Sequence, residues 1–265
     1  MEEVSRTDET VTLRQITINV VTFEDVRAAL VAGIADFMRA PTMGVFFGAI
    51  YALGGIFVLY CFAELKAPYW VIPAAVGFPL IGPFIAVGLY DISRRLETGT
   101  PLTWRGVLFV IAESRKRELS WMAFVVLFIF WVWMYQVRLW LAIFLGFQSF
   151  SSLEAFVTIV TTTSDGLGFL AVGTVVGAVL ATVLFSATVI SIPLLLDRDP
   201  DFITALIASV RTVLKNPYVM LAWGALVAFL VLAAMLPLFL GLLVVLPVLG
   251  HATWHLYRRA IVVAF

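Results

Sequence analysis

The sequence contains little charge, one cysteine and two histidines. Charged residues make up 13% of the chain, well below the roughly 25% typical of soluble domains. Basic and acidic residues are equal in number, so no excess of positive charge indicates nucleic-acid binding. The lone Cys61 excludes an intramolecular disulfide and a Cys-x-x-Cys metal site. Residues 1–19 are polar and lack an apolar core, so we expect the first membrane span to serve as its own insertion signal.

Apolar residues, in contrast, make up 62% of the chain, and the mean hydropathy is +1.05. A chain with so few polar groups cannot cover its apolar surface in water, so its solvent must be lipid. We therefore predict an all-α, polytopic membrane protein in which a polar tail (1–20) precedes a single integral membrane domain (21–265). The apolar runs predict six transmembrane helices, at about 42–62, 69–90, 119–135, 167–196, 218–235 and 238–257.

Amphipathic helices are predicted at about 25–39, 103–117 and 201–216, where apolar residues recur at helical spacing. Asp25 and Thr103 are the expected N-caps of the first two. The tail from Ile16 to Val20 alternates in polarity and indicates an extended, strand-like segment.

Polar residues interrupt the third span. Gln136 and Arg138 end it, and residues 139–164 contain two apolar stretches that are each too short to cross a bilayer. We expect these residues to form an elbow that is either re-entrant or interfacial.

The chain contains an internal repeat. Residues 82–95 recur 164 positions later, so that Pro83 corresponds to Pro247 and Arg94-Arg95 to Arg258-Arg259. Earlier in the chain the offset is 176, which relates Pro41 to Pro217. The middle of the chain does not match these residues one by one, but it contains the same types of element, a capped helix followed by two spans. We predict three parallel units, each an amphipathic helix followed by a hairpin, around a pseudo-threefold axis. A kink is expected near Pro79–Pro83.

The basic residues define an orientation. All of them except Lys66 and Arg138 fall before the first span, in the 91–118 loop, in the 197–216 loop or at the C-terminal end. The positive-inside rule therefore predicts a multi-pass protein with both termini in the cytoplasm.

Four stretches together resemble a known family. They are Gly88–Arg95, Ser191–Arg198, Asn216-Pro217 followed by Trp223, and Gly250–Arg259. In this order they are similar to an uncharacterised family of bacterial integral membrane proteins, a domain of unknown function, over residues 20–260. Some members carry a loose cytochrome c oxidase subunit label. The resemblance implies the bacterial inner membrane as the location and implies little about chemistry.

The two histidines, His251 and His255, are one helical turn apart, a spacing that can present two imidazoles to one metal ion. The repeat relates His255 to Asp91, so His251, His255 and Asp91 form a candidate site for zinc or another divalent ion. Haem is disfavoured because both imidazoles lie on one helix and cannot bind the iron from opposite faces of a porphyrin. The alternative is a hydrogen-bonded polar cluster at the inner interface, beside arginines.

Ionisable groups otherwise lie near helix ends, which disfavours an ion-coupled transporter or a proton pump; they include Asp36, Asp91, Glu113, Glu118 and Asp197. A hydroxyl run could bind a neutral or lipid-like ligand, or could join helices by hydrogen bonds. It consists of Thr182, Ser186, Thr188 and Ser191.

The function predicted from these features is that of a non-enzymatic accessory or scaffolding component of a larger inner-membrane complex. It follows from the lack of catalytic groups and from the Trp- and Phe-rich third span, which offers apolar surface to a partner. A carrier or channel for a small neutral or amphiphilic solute is the alternative, and a metal-dependent membrane enzyme is the third possibility. Membrane lipid is the other expected partner, and nucleic acid is not expected.

Overall fold

The computed structural model describes residues 13–63, 71–114, 118–146 and 153–263, with the backbone alone at Arg14, 61–63, 71–81, Ser114 and Leu153. These residues are predominantly helical, which confirms the predicted all-α class. The helices are α1 (Phe23–Arg39), α2 (Pro41–Ala63), α3 (Val71–Thr98), α4 (Trp104–Ser114), α5 (Leu119–Leu145), α6 (Leu153–Thr162), α7 (Ser164–Thr188), α8 (Ser191–Arg198), α9 (Phe202–Lys215), α10 (Pro217–Met235) and α11 (Leu242–Ala260).

Four helical segments of the described chain are long and apolar enough to cross a membrane. They are Pro41–Tyr60, Leu119–Leu145, Ser164–Arg198 and Pro217–Met235. They correspond to the first, third, fourth and fifth predicted spans. The second and sixth predicted spans form α3 and α11, which end in charged residues, and α11 also carries both histidines.

The predicted interruption of the third span is wrong. α5 continues through Gln136 and Arg138 and ends at Leu145, and Gly146 follows it with a positive φ of 63°. Gln and Arg are good helix formers, so they add polarity to α5 without breaking it. The rest of the expected elbow contains the short helix α6 and the first residue of α7. Residues 147–152 lie outside the described residues.

The predicted fourth span is divided in two. α7 ends at Thr188, and α8 begins at Ser191 after a turn at Val189 and Ile190. Pro193 has no N–H to donate to the carbonyl of Val189, and the Ser209 hydroxyl accepts the N–H of Ile190 at 3.1 Å instead. The helix therefore breaks at this point.

The last helix begins later than predicted. Leu238 and Phe239 have φ values of 51° and 65°, which a helix cannot contain, so α11 starts at Leu242. The segment predicted as the second span is one helix that continues past Tyr90 to Thr98, without a break at Pro83. The expected kink also involves Pro79, whose side chain lies outside the described set.

Side-chain caps fix the starts of the amphipathic helices. Thr22, rather than the predicted Asp25, is the N-cap of α1, and Asp25 completes a capping box with it. Thr103 caps α4 as predicted, by accepting the N–H of Gly106 at 3.1 Å. Asp201 caps α9 by accepting the N–H of Thr204 at 2.9 Å.

The chain divides into two compact units. The first contains Met1–Phe124 and Ser186–Phe265, and the second contains Val125–Phe185. Within the second unit α5 and α7 meet through bulky side chains, because Phe144 of α5 lies against Gly168 of α7 and Trp133 lies near Gly177.

Close helix contacts organise the first unit. α1 and α2 run along α11, and α11 also packs on α3, which in turn packs on α4 and α8. Gly33 permits the closest approach, since a Cβ atom there would lie 2.6 Å from the backbone nitrogen of Ala252. Gly48 does the same for α2, with a Cβ position 2.7 Å from the carbonyl oxygen of Leu242.

A short antiparallel sheet joins the two ends of the described chain. β1 (Ile16–Ile18) pairs with β2 (Ile261–Val263), with Thr17 opposite Val262. The predicted extended segment is therefore confirmed, although its pairing was not foreseen. Asn216 secures the same region, because its side chain accepts the N–H of Val21 at 2.9 Å and donates to the carbonyl of Asn19 at 3.1 Å.

Candidate functional site

The two histidines lie on one face of α11, and each has a different partner. His251 is fully buried, and its Nδ1 atom lies 2.8 Å from the hydroxyl of Ser93 on α3. One turn further on, Nε2 of His255 lies 2.7 Å from Oδ2 of Asp36 on α1. The buried face of α1, which also contains Gly33, brings Asp36 to this position. We call Asp36, Ser93, His251 and His255 the histidine cluster.

The carboxylate of Asp36 fixes one donor of the histidine cluster. An ionised carboxylate can only accept, so Nε2–H of His255 donates to Oδ2 of Asp36. Nδ1 of His251 pairs with the Ser93 hydroxyl, and the tautomer of the imidazole decides which of the two donates. Nε2 of His251 has no hydrogen-bond partner among the residues that the structure describes.

Asp36 is held in its charged form. Burial opposes the charge and would raise the pKa of Asp36, but hydrogen bonds from His255 and Ser93 stabilise the carboxylate. Together they bring the pKa below its ordinary value of 3.8. The arrangement joins three helices around one carboxylate.

The third predicted site residue, Asp91, has other partners. Its carboxylate is fully buried and accepts hydrogen bonds from Arg94 and from Nε of Arg95, the latter at 2.6 Å. No hydrogen bond links Asp91 to His251 or His255, and the described chain contains no group of three or more His, Cys, Asp or Glu side chains arranged to hold a metal ion. The divalent-metal site stays a prediction without geometric support.

Charged groups at the ends of α3, α8 and α11 form a second network, the ion-pair cluster. It comprises Asp91, Arg94, Arg95, Glu97, Asp197, Arg198, Trp254, Tyr257 and Arg258. Asp197 accepts from the Tyr257 hydroxyl at 2.8 Å and from Arg258 at 3.3 Å. Arg94 donates to the carbonyl of Leu196 at 3.1 Å. Glu97 and Asp197 of this cluster are therefore bound by side chains of α11, whereas Asp91 is bound by arginines of its own helix.

Sequence reasoning missed Asp36 and Ser93 as members of the site. Asp36 follows Gly33 by three residues on the buried face of α1, a position where an unpaired charge would be costly. The 176-residue offset relates it to Thr212, which is also buried and polar. A polar residue at both positions related by this offset was the signal that could have found it.

Two hydroxyls of the run bond within their own helical segment. Thr182 donates to the carbonyl of Ala178 at 2.8 Å, and Ser191 donates to that of Ala187. The carbonyl of Ser186 accepts from Ser209 at 2.7 Å, which links the end of α7 to the middle of α9. Thr182 and Ser191 therefore satisfy backbone carbonyls one turn before them.

A small cavity of about 150 Å³ lies among α3, α4, α8 and the start of α5. Its polar lining includes Arg94, Glu113, Glu118 and Asp199, and Val87 contributes an apolar wall. Glu118 accepts the N–H of Phe202 at 3.1 Å, so part of this lining also holds the start of α9.

Comparison with protein families supports the predicted resemblance. Residues 71–197 match the model of a family described as "Predicted integral membrane protein (DUF2189)". The expected likeness to an uncharacterised integral membrane protein family is therefore confirmed over this range, and the chain is an integral membrane protein with several apolar helices. Comparisons with curated proteins and with solved structures give no match.

Proposed function

We propose that the chain is a non-enzymatic accessory or scaffolding component of a larger complex in the bacterial inner membrane. The observation that carries this proposal is the apolar surface of α5. In its most apolar window only 11% of the residues are buried, compared with 33% for α2. Exposed aromatic side chains cover much of its length; they include Trp121, Phe124, Phe128, Trp131, Trp133 and Tyr135.

The length of α5 distinguishes a protein partner from lipid. Its 27 residues extend about 40 Å, whereas the hydrocarbon core of a bilayer is about 30 Å thick. Arg138 lies about 28 Å along the helix from Leu119, and a steep tilt would draw its charge into the hydrocarbon. Leu139 and Ile143, beyond Arg138, are 47% and 59% exposed. Apolar surface outside the hydrocarbon favours contact with another protein.

The polar groups of the first unit support a structural role. In the histidine and ion-pair clusters, carboxylates bind side chains of neighbouring helices and of their own helix. Carboxylates engaged in this way hold helices together and are not free to act as general acids or bases.

Contacts within the first unit support six spans. Glu118, just before α5, binds the start of α9, and Lys215 at the end of α9 donates to the carbonyl of Ile18 at 2.6 Å. The contacts at both ends of α9 thus link the start of α5 to the segment before α1, which supports a second crossing by α3 after α2. Likewise, the pairing of β1 with β2 supports a return of the chain through α11 after α10.

The same contacts support three parallel units around a pseudo-threefold axis. α1 packs on α11, α4 packs on α3, and α9 packs on α8, while α3, α8 and α11 contact one another. Each amphipathic helix thus packs on the last helix of a different unit, in cyclic order. The C-caps Ala40 and Asn216 share nearly equal dihedral angles, φ −133° and ψ 51° against φ −125° and ψ 50°. The excess of basic residues at this end supports a cytoplasmic position for both termini.

The test is purification of the full chain from its native membranes in mild detergent, with co-purifying proteins counted by native mass spectrometry. We expect a stoichiometric partner whose yield falls about tenfold in the Ile143→Gln variant, because a polar side chain would interrupt the apolar contact. Leu236→Gln is the matched control, since Leu236 is 84% exposed at the end of α10. A lone protein or a homo-oligomer would contradict the accessory role.

A carrier for a small neutral or amphiphilic solute is the second candidate. The cavity of about 150 Å³ favours it, because the cavity extends from Arg94 to Val87, roughly 10 Å along α3. Uptake of labelled solutes into vesicles containing the purified chain tests this candidate. Uptake that is lost in Val87→Trp would favour the carrier over the scaffold.

A further inference from the structure

The outward face of α1 carries a stripe of large apolar side chains. Val31, Ile34 and Met38 are 61%, 50% and 70% exposed, and Phe23 lies on the same stripe at 62%. The stripe lies almost opposite the buried face that packs on α11. No residue of the described structure covers it, although apolar residues of this size are normally removed from water.

The same stripe recurs in the other copy of the repeat. The offset of 176 relates Val31, Ile34 and Met38 to Ile207, Val210 and Leu214 of α9. Leu214 is 72% exposed, nearly the value of Met38, and Ile207 and Val210 are half-buried. Outward apolar stripes at positions related by this offset indicate that α1 and α9 face the same kind of environment.

Basic side chains accompany both stripes. Arg39 follows Met38, and Lys215 follows Leu214. The acids of the two helices are largely engaged, since Asp25 binds Arg259, Asp36 binds His255 and Asp201 caps α9. The exposed surface near these stripes is therefore more basic than acidic, which complements an anionic surface.

Both stripes lead directly into membrane-crossing helices. Pro41 starts α2 two residues after Arg39, and the exposed Val45 and Phe46 continue the apolar surface along α2. We propose that α1 and α9 lie in the lipid interface, where their outward stripes bind inner-leaflet phospholipids with anionic headgroups. Apolar side chains enter the acyl boundary, and Arg39 and Lys215 lie at the phosphates. The choice of the inner leaflet rests on the orientation given under the proposed function.

Depth measurements test the position of the stripes. A nitroxide is attached to single cysteines at Val31, Met38 or Leu214 in the full-length Cys61→Ser protein, held in nanodiscs of phosphatidylcholine and phosphatidylglycerol. We expect these labels to be accessible to oxygen and protected from aqueous nickel chelate. A label at Thr100, an exposed loop residue, is the water-accessible control. Equal access of the chelate to all positions would overturn the proposal.

Lipid retention tests the charge preference. The purified protein is exchanged into nanodiscs of equal phosphatidylcholine and phosphatidylglycerol, and the lipids that remain bound after detergent extraction are measured. We expect phosphatidylglycerol enrichment to fall up to about fivefold in Arg39→Gln, to be restored in Arg39→Lys, and to be unchanged in Arg138→Gln at the far end of α5. Equal loss in Arg39→Gln and Arg138→Gln, or no enrichment at all, would overturn the proposal. Because purified protein is used, a missing protein partner does not affect this result.

Discussion

The carboxylate of Asp36 lies 2.7 Å from Nε2 of His255, and the two residues are 219 positions apart in the chain. This contact joins the first amphipathic helix to the last helix. It lies beside the close backbone approach at Gly33, so α1 is held to α11 by packing and by a charge-assisted hydrogen bond together. The start and the end of the described chain are thereby held together within the first compact unit.

Replacement of Asp36 by Asn should weaken this contact by about 1–3 kcal/mol at neutral pH, because it removes the charge from a buried hydrogen-bonded group. The folded pKa of Asp36 is lowered, so its stabilising contribution is present above its ordinary pKa of 3.8 and is lost as the pH falls through the lower folded value. Thermal unfolding in detergent from about pH 7 to about pH 3 measures the effect. We expect the wild type to lose more stability than Asp36→Asn over the acidic end of this range.

Ser93→Ala provides a second check on the same group. It removes one of the hydrogen bonds that lower the pKa of Asp36, so the stability lost on acidification should be smaller than in the wild type and should be complete at a higher pH. Identical pH profiles for the wild type and both variants would contradict the assigned role of Asp36.

Gly33→Ala should destabilise the first unit by about 1–3 kcal/mol, since the added Cβ would lie 2.6 Å from the Ala252 nitrogen and 2.8 Å from the Val248 carbonyl oxygen. Gly173→Ala is the matched control, because a Cβ atom there meets no atom within 4 Å and alanine favours a helix. Thermal unfolding of both variants in the same detergent gives the comparison. Equal melting temperatures would show that α1 does not need close contact with α11.

The predictive value of the sequence differed between local and long-range features. The starts of α2 and α10 follow from Pro41 and Pro217, because proline at the first position of a helix acts locally. The continuity of α5 was missed because Gln136 and Arg138 were interpreted as the end of the span, although both residue types are good helix formers and the helix continues through them.

The residues of the histidine cluster were predicted only in part, because the sequence shows local spacing but not contacts between distant helices. The spacing of His251 and His255 correctly placed both on one helix face, but the repeat suggested Asp91 as their carboxylate. Equivalent positions in a repeat share a local environment and need not touch each other. The carboxylate that binds His255 comes from α1, whose approach depends on the whole tertiary fold. The pairing of β1 with β2 is equally remote in sequence.

Asn216→Ala should loosen the N-terminal segment. The Asn216 side chain is 5% exposed and binds the backbone of Val21 and Asn19, and its loss leaves the buried N–H of Val21 without that acceptor. Ala40, which lies 176 residues earlier, is a C-cap with nearly the same dihedral angles, so the Asn216 side chain is not needed for the cap itself. Hydrogen exchange should become faster at Val21 and in β1, with little change at the α9–α10 junction. Unchanged exchange at Val21 would contradict this role.

The proposed accessory role and the proposed lipid surface both rest on a further proposal, that the chain has six spans with both ends on one side. It is tested most directly by the reaction of single cysteines with a membrane-impermeant reagent in intact cells, in the Cys61→Ser background. Cysteines at Thr100, after α3, and at Val262, after α11, should react only once the inner membrane is opened, whereas one at Leu238, between α10 and α11, should react in intact cells. Reaction of Thr100 or Val262 from the same side as Leu238 would show that α3 or α11 does not cross, and would contradict the account.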